Sequence, residues 1–350
     1  MSALESKSVS RIRVARKTGP RISSIVFENL VRAITALVLL LLVFILGTII
    51  YQGAPKLSWE FLTSFPRDGM LAGGIFPALF GTVFVVLFMI LMALPLGIFG
   101  AVYMVEYSRG GIASRVIRAA VNNLAGVPSI VFGLFGLGFF VLFVGRNLDH
   151  YARGVPRNEA ELAVYAETHK AEMQTIGPPK KLFGQGAMFW AAATLAILVL
   201  PVIIVSTEES LRTVPASMRE AAYALGATKW QMISTVVLPQ ARTGILTGAI
   251  LAVARGAGEL APILFVGVTY FLPTLPLTEP VNFGLFHIPV INPFMPFMHL
   301  NYHIYSMATQ ESDQAAARPV EFATTLVLIA MTFLMNLAAI ILRRRLTRKP

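Results

Sequence analysis

The chain has 350 residues, 56% hydrophobic and only 13% charged, against about 25% charged in an ordinary soluble domain. It contains no Cys and five scattered His, which excludes a disulfide framework and a thiolate metal centre and leaves no His cluster for a metal. The net charge of +11 does not mark a nucleic-acid binder, because the Lys and Arg gather beside apolar runs.

Residues 1–30 form a basic tail, with seven Lys/Arg in residues 1–32. No short apolar run with a small-residue cleavage site opens the chain, so this tail is expected to be retained in the cytoplasm. A helix needs about 20 apolar residues to cross a bilayer. Six segments qualify, roughly 31–51, 75–104, 120–144, 187–207, 243–268 and 322–342. The second carries Pro95, so it is expected to bend there or to run past the hydrocarbon. The Phe residues of the third (Phe132, Phe135, Phe139, Phe140, Phe143) suit lipid contact or core packing.

Six spans put both termini on one side, and charge names that side as the cytoplasm. Loop 105–119 carries Arg109, Arg115 and Arg118, and loop 208–242 carries Arg212, Arg219, Lys229 and Arg242. With the tails, these pieces hold 19 of the 29 Lys/Arg; the connections expected outside hold nine, and Arg255 lies within a span. Two outer connections are long. Segment 145–186 is polar and suits an amphipathic helix around Asn158–Gln174. Segment 269–320, rich in Pro, His and aromatic residues, suits an ordered lid or re-entrant element. His287, His299 and His303 fall there and read as solvated loop residues in preference to a binding-protein contact.

Loop 208–242 predicts two helices. Glu220 is placed near the start of the first, facing the positive end of its dipole. Gly226 supplies a left-handed turn. A second helix over about 228–237 offers Trp230, Ile233, Val236 and Val237 as an apolar face, and Pro239 ends it. Glu208 and Glu209 are expected to cap the fourth span or to meet a partner.

Arg255 and Glu259 are the only Arg/Lys and Asp/Glu well inside the apolar spans. A charge there costs about 3 kcal/mol on insertion scales. Spacing of four puts both on one helix face, close enough to pair. Arg also carries the planar fork that best matches phosphate oxygens. Two readings stand: Arg255 faces a translocation pathway and Glu259 holds or releases it, or the pair is a neutral clamp between helices. Pro128-Ser129, at a span entrance, frees backbone groups toward a cavity or makes a packing kink.

The run Glu220-Ala221-Ala222, three residues, Gly226, nine residues, then Val236-Val237-Leu238-Pro239 resembles the E-A-A loop of the permease subunits of bacterial ABC importers, with Val236 in the Ile place of Ile-x-Leu-Pro. The resemblance implies an all-α integral membrane protein of six transmembrane helices, the type I ABC importer permease (MetI-like) fold. It implies a coupling helix seated in an ATP-binding partner, with Glu220, Ala221, Ala222, Gly226, Leu238 and Pro239 as coupling residues. The stretches LAGVPSIVFGL (124–134), LPVIIVSTEESLRTVP (200–215), LAVARGAGELAP (251–262) and NLAAIILRRRL (336–346) are similar to phosphate-importer permeases of the PstA type. That likeness covers about residues 25–145 and 187–346, and segment 145–186 is longer than the family leads one to expect.

The organisation expected is a tail (1–30), a permease domain (31–346, core 74–342, with insertion 145–186 and coupling loop 208–242) and a tail (347–350). The partners implied are a second permease of PstC type, two ATP-binding subunits of PstB type, a PstS-type phosphate-binding protein, inorganic phosphate and membrane lipid, but no nucleic acid. Arg255 and Glu259 are implicated in phosphate transport by the same resemblance. No G-x-x-x-x-G-K-[ST] loop is present, so no cofactor and no catalytic site are expected, and ATP belongs to the partner. Localisation in a bacterial inner membrane follows. An importer for sulfate or an amino acid and a passive anion channel or carrier remain as alternatives. An intramembrane enzyme fits poorly, since the spans hold no His, no Cys and one Glu.

Overall fold

The computed structural model describes residues 22–108, 111–170, 180–272, 274–277, 281–283, 286–288 and 291–347. Arg109, residues 1–21 of the N-terminal tail, residues 348–350 and residues 171–174 of the helix expected in the insertion lie outside them, and residues 22–30 of the expected tail are helical. The chain divides into two compact units, residues 1–51 and 52–350. The first is α1 (Ile22–Gly53), whose apolar side chains are exposed along almost its whole length. That is what an apolar helix looks like when its solvent is lipid or another chain.

The second unit follows in order as α2 (Trp59–Thr63), α3 (Phe76–Val102), α4 (Ile112–Leu124), α5 (Ser129–Phe135), α6 (Arg146–Arg153) and α7 (Glu159–Thr168). Then come α8 (Met188–Arg212), α9 (Ala216–Ala224), α10 (Lys229–Met232), α11 (Leu238–Gly258), α12 (Leu300–Thr309) and α13 (Gln314–Thr347). Two small antiparallel pairs, Pro66–Arg67 with Ala72–Gly73 and Val281–Phe283 with Phe286–Ile288, sit in connections.

Six helical stretches are long and apolar enough to cross a membrane: Ser24–Lys56, Phe76–Tyr107, Ser129–Arg153, Met188–Arg212, Lys229–Gly258 and Gln314–Thr347. α3 runs unbroken through Pro95 and continues as π-helix over Tyr103–Tyr107. Its 32 residues make a rod of about 48 Å, longer than the hydrocarbon, so extension is the outcome for this span.

Two expected spans are displaced. Residues 120–144 do not form one helix. The amphipathic α4 ends at Leu124, and Pro128, in extended backbone, caps α5. Proline disfavours helical backbone in the residue before it, so the break falls at Gly126-Val127. The span begins at Ser129 and reaches Arg153 through a π-helical stretch over Gly136–Gly145. The fifth span starts earlier and stops earlier than 243–268. Pro239 does not end a helix. Residues 229–258 are helical throughout, with Ile233–Val237 π-helical just before Pro239, which occupies the first turn of α11, where its missing N–H costs least. The helix gives way at Glu259, and residues 261–267 are turns.

α8 is the central post, with 67% of its apolar window buried against 28% for spans two, three and five. Leu195, Leu198, Val199 and Ile203 pack there with Val85, Met89 and Ala93 of α3 and with Ala252 and Ala257 of α11. α11 comes close because Gly244 and Gly248 face Ser210 and Ser206 of α8, where a Cβ has no room.

In the insertion, α7 forms with Asn158 as its N-cap, but it buries no residue. Its apolar side chains are spread around the axis, so the amphipathic expectation fails. The late connection is ordered by α12. Leu300 N–H donates to Thr82 Oγ1 of α3 at 3.0 Å, and Asn301 Nδ2 donates to the Ala257 carbonyl of α11 at 3.3 Å. His303 Nδ1 meets Thr324 Oγ1 of α13 at 3.4 Å. His299 and His303 are 1% and 2% exposed, which overturns the reading of solvated loop residues. Burial pushes their imidazoles down, to about 3 and about 4, so both are neutral near pH 7. The side chain of His287 lies outside the described residues.

Candidate functional site

Arg255 occupies the last turn of α11, where a cation meets the negative end of the helix dipole. The helix ends at Gly258, and Glu259 takes extended backbone (φ −84°, ψ 130°). The pair therefore does not stack along one helix face as the spacing of four suggests. It forms across the helix end, with Arg255 Nε donating to Glu259 Oε1 at 3.4 Å. The side chains are 37% and 21% exposed, so the pair lies open at one edge and is not sealed in the core. Gly256 and Ala257 beside it are buried; Gly256 abuts the Met89 thioether, and the Ala257 carbonyl takes the Asn301 amide. Asn301 Oδ1 is buried without a partner.

Pro128 caps α5 and Ser129 is its first residue. Among the described residues no hydrogen bond or ion pair joins either to Arg255 or Glu259. α5 instead approaches the chain just beyond Glu259, where Gly133 lies against the carbonyls of Ala261 and Pro262. The Phe residues of this span divide between both expected roles. Phe132 is buried and Phe140 stacks on Trp190 at 5.7 Å, while Phe135, Phe139 and Phe143 are exposed in a stacked row.

At the other end of α8 the chain makes the two expected helices and the turn. Gly226 has φ +80°, a region that a side chain disfavours, and its N–H donates to the Tyr223 carbonyl. Thr228 and Gln231 form a reciprocal capping box that starts α10. Glu220 is the fifth residue of α9 and is exposed, so it neither caps the helix nor meets its dipole. Ala221 is exposed, and Ala222 is buried with Val102, Leu211, Met232 and Ile233. Leu238 is half-buried and Pro239 exposed. Ile233 and Val237 face inward as expected, but Trp230 does not. It is 53% exposed, beside Tyr223 at 46% and Leu225 at 89%. Large apolar side chains held out on a rigid turn are the signature of a docking surface.

Two charge clusters centred on buried carboxylates hold this end. Arg219 of α9 donates from Nε and Nη2 to Glu106 Oε1 at 3.1 and 2.9 Å, and from Nη2 and Nη1 to the carbonyls of Leu211 and Val214. Glu208 is 7% exposed; it neither caps α8 nor faces a partner, because Arg118 of α4 (2.7 Å) and Arg212 (2.9 Å) hold it. Glu209 is exposed. The Glu106–Arg219 pair escaped sequence reasoning, since its members are 113 residues apart and each sits in a loop rich in other charges.

Residues 93–350 match the family model for the "Binding-protein-dependent transport system inner membrane component". The chain is 31% identical over 305 residues to the "Probable ABC transporter permease protein YqgI" of Bacillus subtilis, covering 87% of this chain and 89% of that one. It is 34% identical over 278 residues to the "Phosphate transport system permease protein PstA 1" of Mycobacterium tuberculosis, covering 79% and 73%. It is 32% identical over 242 residues to the PstA of Yersinia pestis, covering 69% and 68%. Among solved structures, a bacterial ABC transporter involved in the import of the acidic polysaccharide alginate shares the fold, with a TM-score of 0.59 at 16% identity over 93% of this chain and 99% of that one.

Proposed function

The chain belongs to the binding-protein-dependent transport system inner membrane component family, a permease of an ABC importer, and on that premise we propose that its cargo is inorganic phosphate. The observation that supports the substrate is the Arg255–Glu259 pair, which closes the apolar helix α11 and is still partly open. A guanidinium offers a tetrahedral oxyanion a fork of N–H donors. Glu259 compensates it while empty and gives it up when an anion competes. The similarity to phosphate transport permeases supports the same cargo.

The α9–Gly226–α10 turn is the seat of the ATP-binding subunit. Tyr223, Leu225 and Trp230 supply its apolar contacts, and Arg219 links α9 to the ends of α3 and α8. Movement of the seat therefore pulls on two core spans. Work comes from ATP on that partner, a second permease completes the pathway, and an extracytoplasmic binding protein delivers the anion. The flanking basic residues support a cytoplasmic side for this turn and both termini, with the chain in a bacterial inner membrane.

The test is uptake by the assembled transporter. Arg255→Ala is expected to reduce phosphate uptake at least about tenfold, the loss of one charge-assisted contact. Arg255→Lys is expected to restore part of it. Unchanged uptake in Arg255→Ala overturns the pathway role and leaves the structural clamp. Sulfate uptake that is faster than phosphate uptake overturns the choice of cargo.

A further inference from the structure

The insertion that follows the third span has no assigned role. One crossing of α8 places it on the opposite membrane face from the α9–α10 turn. Its base is built with care. Asp149, 1% exposed, accepts the backbone N–H groups of Leu182, Phe183 and Gly184 at 2.7 to 3.1 Å. Gly145 and Gly184 let the two ends of the insertion touch, Gly145 against the Phe183 carbonyl and Gly184 against Arg146. Trp190 Nε1 of α8 donates to the same Phe183 carbonyl at 2.7 Å. Segment 180–184 is thereby clamped to the start of α6.

That clamp sets Arg146 and Lys181 on the wall of one cavity of about 530 Å³, which Arg157, Glu159, Val155 and Leu162 also line. Lys181 also borders a neighbouring cavity of about 540 Å³, with Arg153 and Lys180. Two of the three carboxylates nearby are engaged, Asp149 also by Arg153 at 3.6 Å, while Glu159 at the cavity has no side-chain partner among the described residues. Asp149 serves the backbone, and Glu161 takes Arg157 at 3.0 Å, a pairing in which the Arg157 backbone N–H and guanidinium hold the Glu161 carboxyl below its usual range. Arg146 and Lys181 have no carboxylate partner among the described residues, and the Arg146 Nε is buried with no acceptor. A buried guanidinium N–H without an acceptor is costly, and a guanidinium that lines a cavity has further N–H groups to offer an anion.

We propose that this cavity is an oxyanion site, with Arg146 and Lys181 as its ligands, that receives a phosphate group at the membrane face where the substrate enters. The phosphate is either free inorganic phosphate or the headgroup of an anionic lipid, since both offer the same oxygens. The choice of ligand rests on the phosphate reading above, and binding is therefore measured apart from uptake.

The full chain is reconstituted in phosphatidylcholine nanodiscs, and the acetylation rate of Lys181 is followed by peptide mass spectrometry, with Lys229 on the opposite face as the internal control. Inorganic phosphate at twice its dissociation constant is expected to slow Lys181 about threefold, with no effect of chloride at equal ionic strength. The protection is expected to vanish in Arg146→Ala and to return in Arg146→Lys. Slowing that appears only when phosphatidylglycerol is added assigns the site to a lipid headgroup. No slowing by either, equal slowing by chloride, equal slowing at Lys229, or full protection in folded Arg146→Ala overturns the site. If Arg146→Ala does not fold, the phosphate and chloride arms of the native chain decide. Protection of Lys181 in a transporter that does not take up phosphate removes the cargo assignment and leaves the site standing.

Discussion

The α9 face and the insertion face of the bundle are held by opposite means. At the α9 face, guanidinium groups reach across the chain to buried carboxylates, Arg219 to Glu106 and Arg118 to Glu208, which also pairs with Arg212 one turn along α8. At the insertion face, the buried polar groups are mostly uncharged. His299, Asn301, His303 and Thr82 exchange hydrogen bonds with backbone and hydroxyl groups, and the buried carboxylate of Asp149 is given to three backbone N–H groups, with Arg153 farther off at 3.6 Å. Ion pairs between long side chains tolerate small displacements, because their attraction falls off gradually with distance. Short side chains bonded to backbone do not. The first face suits the transmission of movement proposed above, and the second suits keeping its shape.

Four measurements sharpen or break that contrast. The largest effect is expected from Asp149→Ala, which leaves three backbone donors without an acceptor and costs about 4 kcal/mol in the thermal stability of the solubilised chain. A loss no larger than that of a surface mutation means the insertion base is not rigid. Next, Arg219→Ala strands the Glu106 carboxylate, which is 8% exposed, and costs about 3 kcal/mol. In the assembled transporter it is also expected to lower uptake while ATP hydrolysis continues, because the seat no longer pulls on α3. Uptake and hydrolysis falling together refute the transmission role.

The third is a pH effect. Both buried histidines are neutral when folded and titrate near 6.5 when unfolded, so the unfolded chain takes up protons first as the pH falls. Stability is complete above about pH 6.5 and declines toward pH 4, by about 2 kcal/mol per histidine between pH 7 and pH 5. His303→Gln is expected to halve that slope, and a slope unchanged by the substitution shows that the acid sensitivity lies elsewhere. The smallest effect is Gly226→Ala, about 1 kcal/mol for a side chain at φ +80°. Melting curves detect it, and a neutral result means the turn relaxes to another conformation.

Local chemistry was the readable part of the site. The turn at Gly226 follows from a glycine after an Ala-rich helix and before a Thr-x-x-Gln start. The pairing of Arg255 with Glu259 followed from spacing in an apolar run, although the helix end between them did not. Contacts between distant segments were not readable. Nothing near Asp149 in sequence announces that it will hold residues 182–184, and nothing near His299 shows that the connection carrying it folds inward.

Composition and the periodic placement of apolar and basic residues determined by themselves that this chain crosses a membrane six times, because the cost of leaving a backbone polar group in lipid forces helices of a set length. They also determined the turn at Gly226, whose signals are residues adjacent in the chain. Tertiary structure alone decided where spans three and five begin and end, which charges are buried, and that the histidines are core residues. Each of these depends on which neighbour fills the space beside a residue, and a helix boundary or a buried proton is settled by that neighbour.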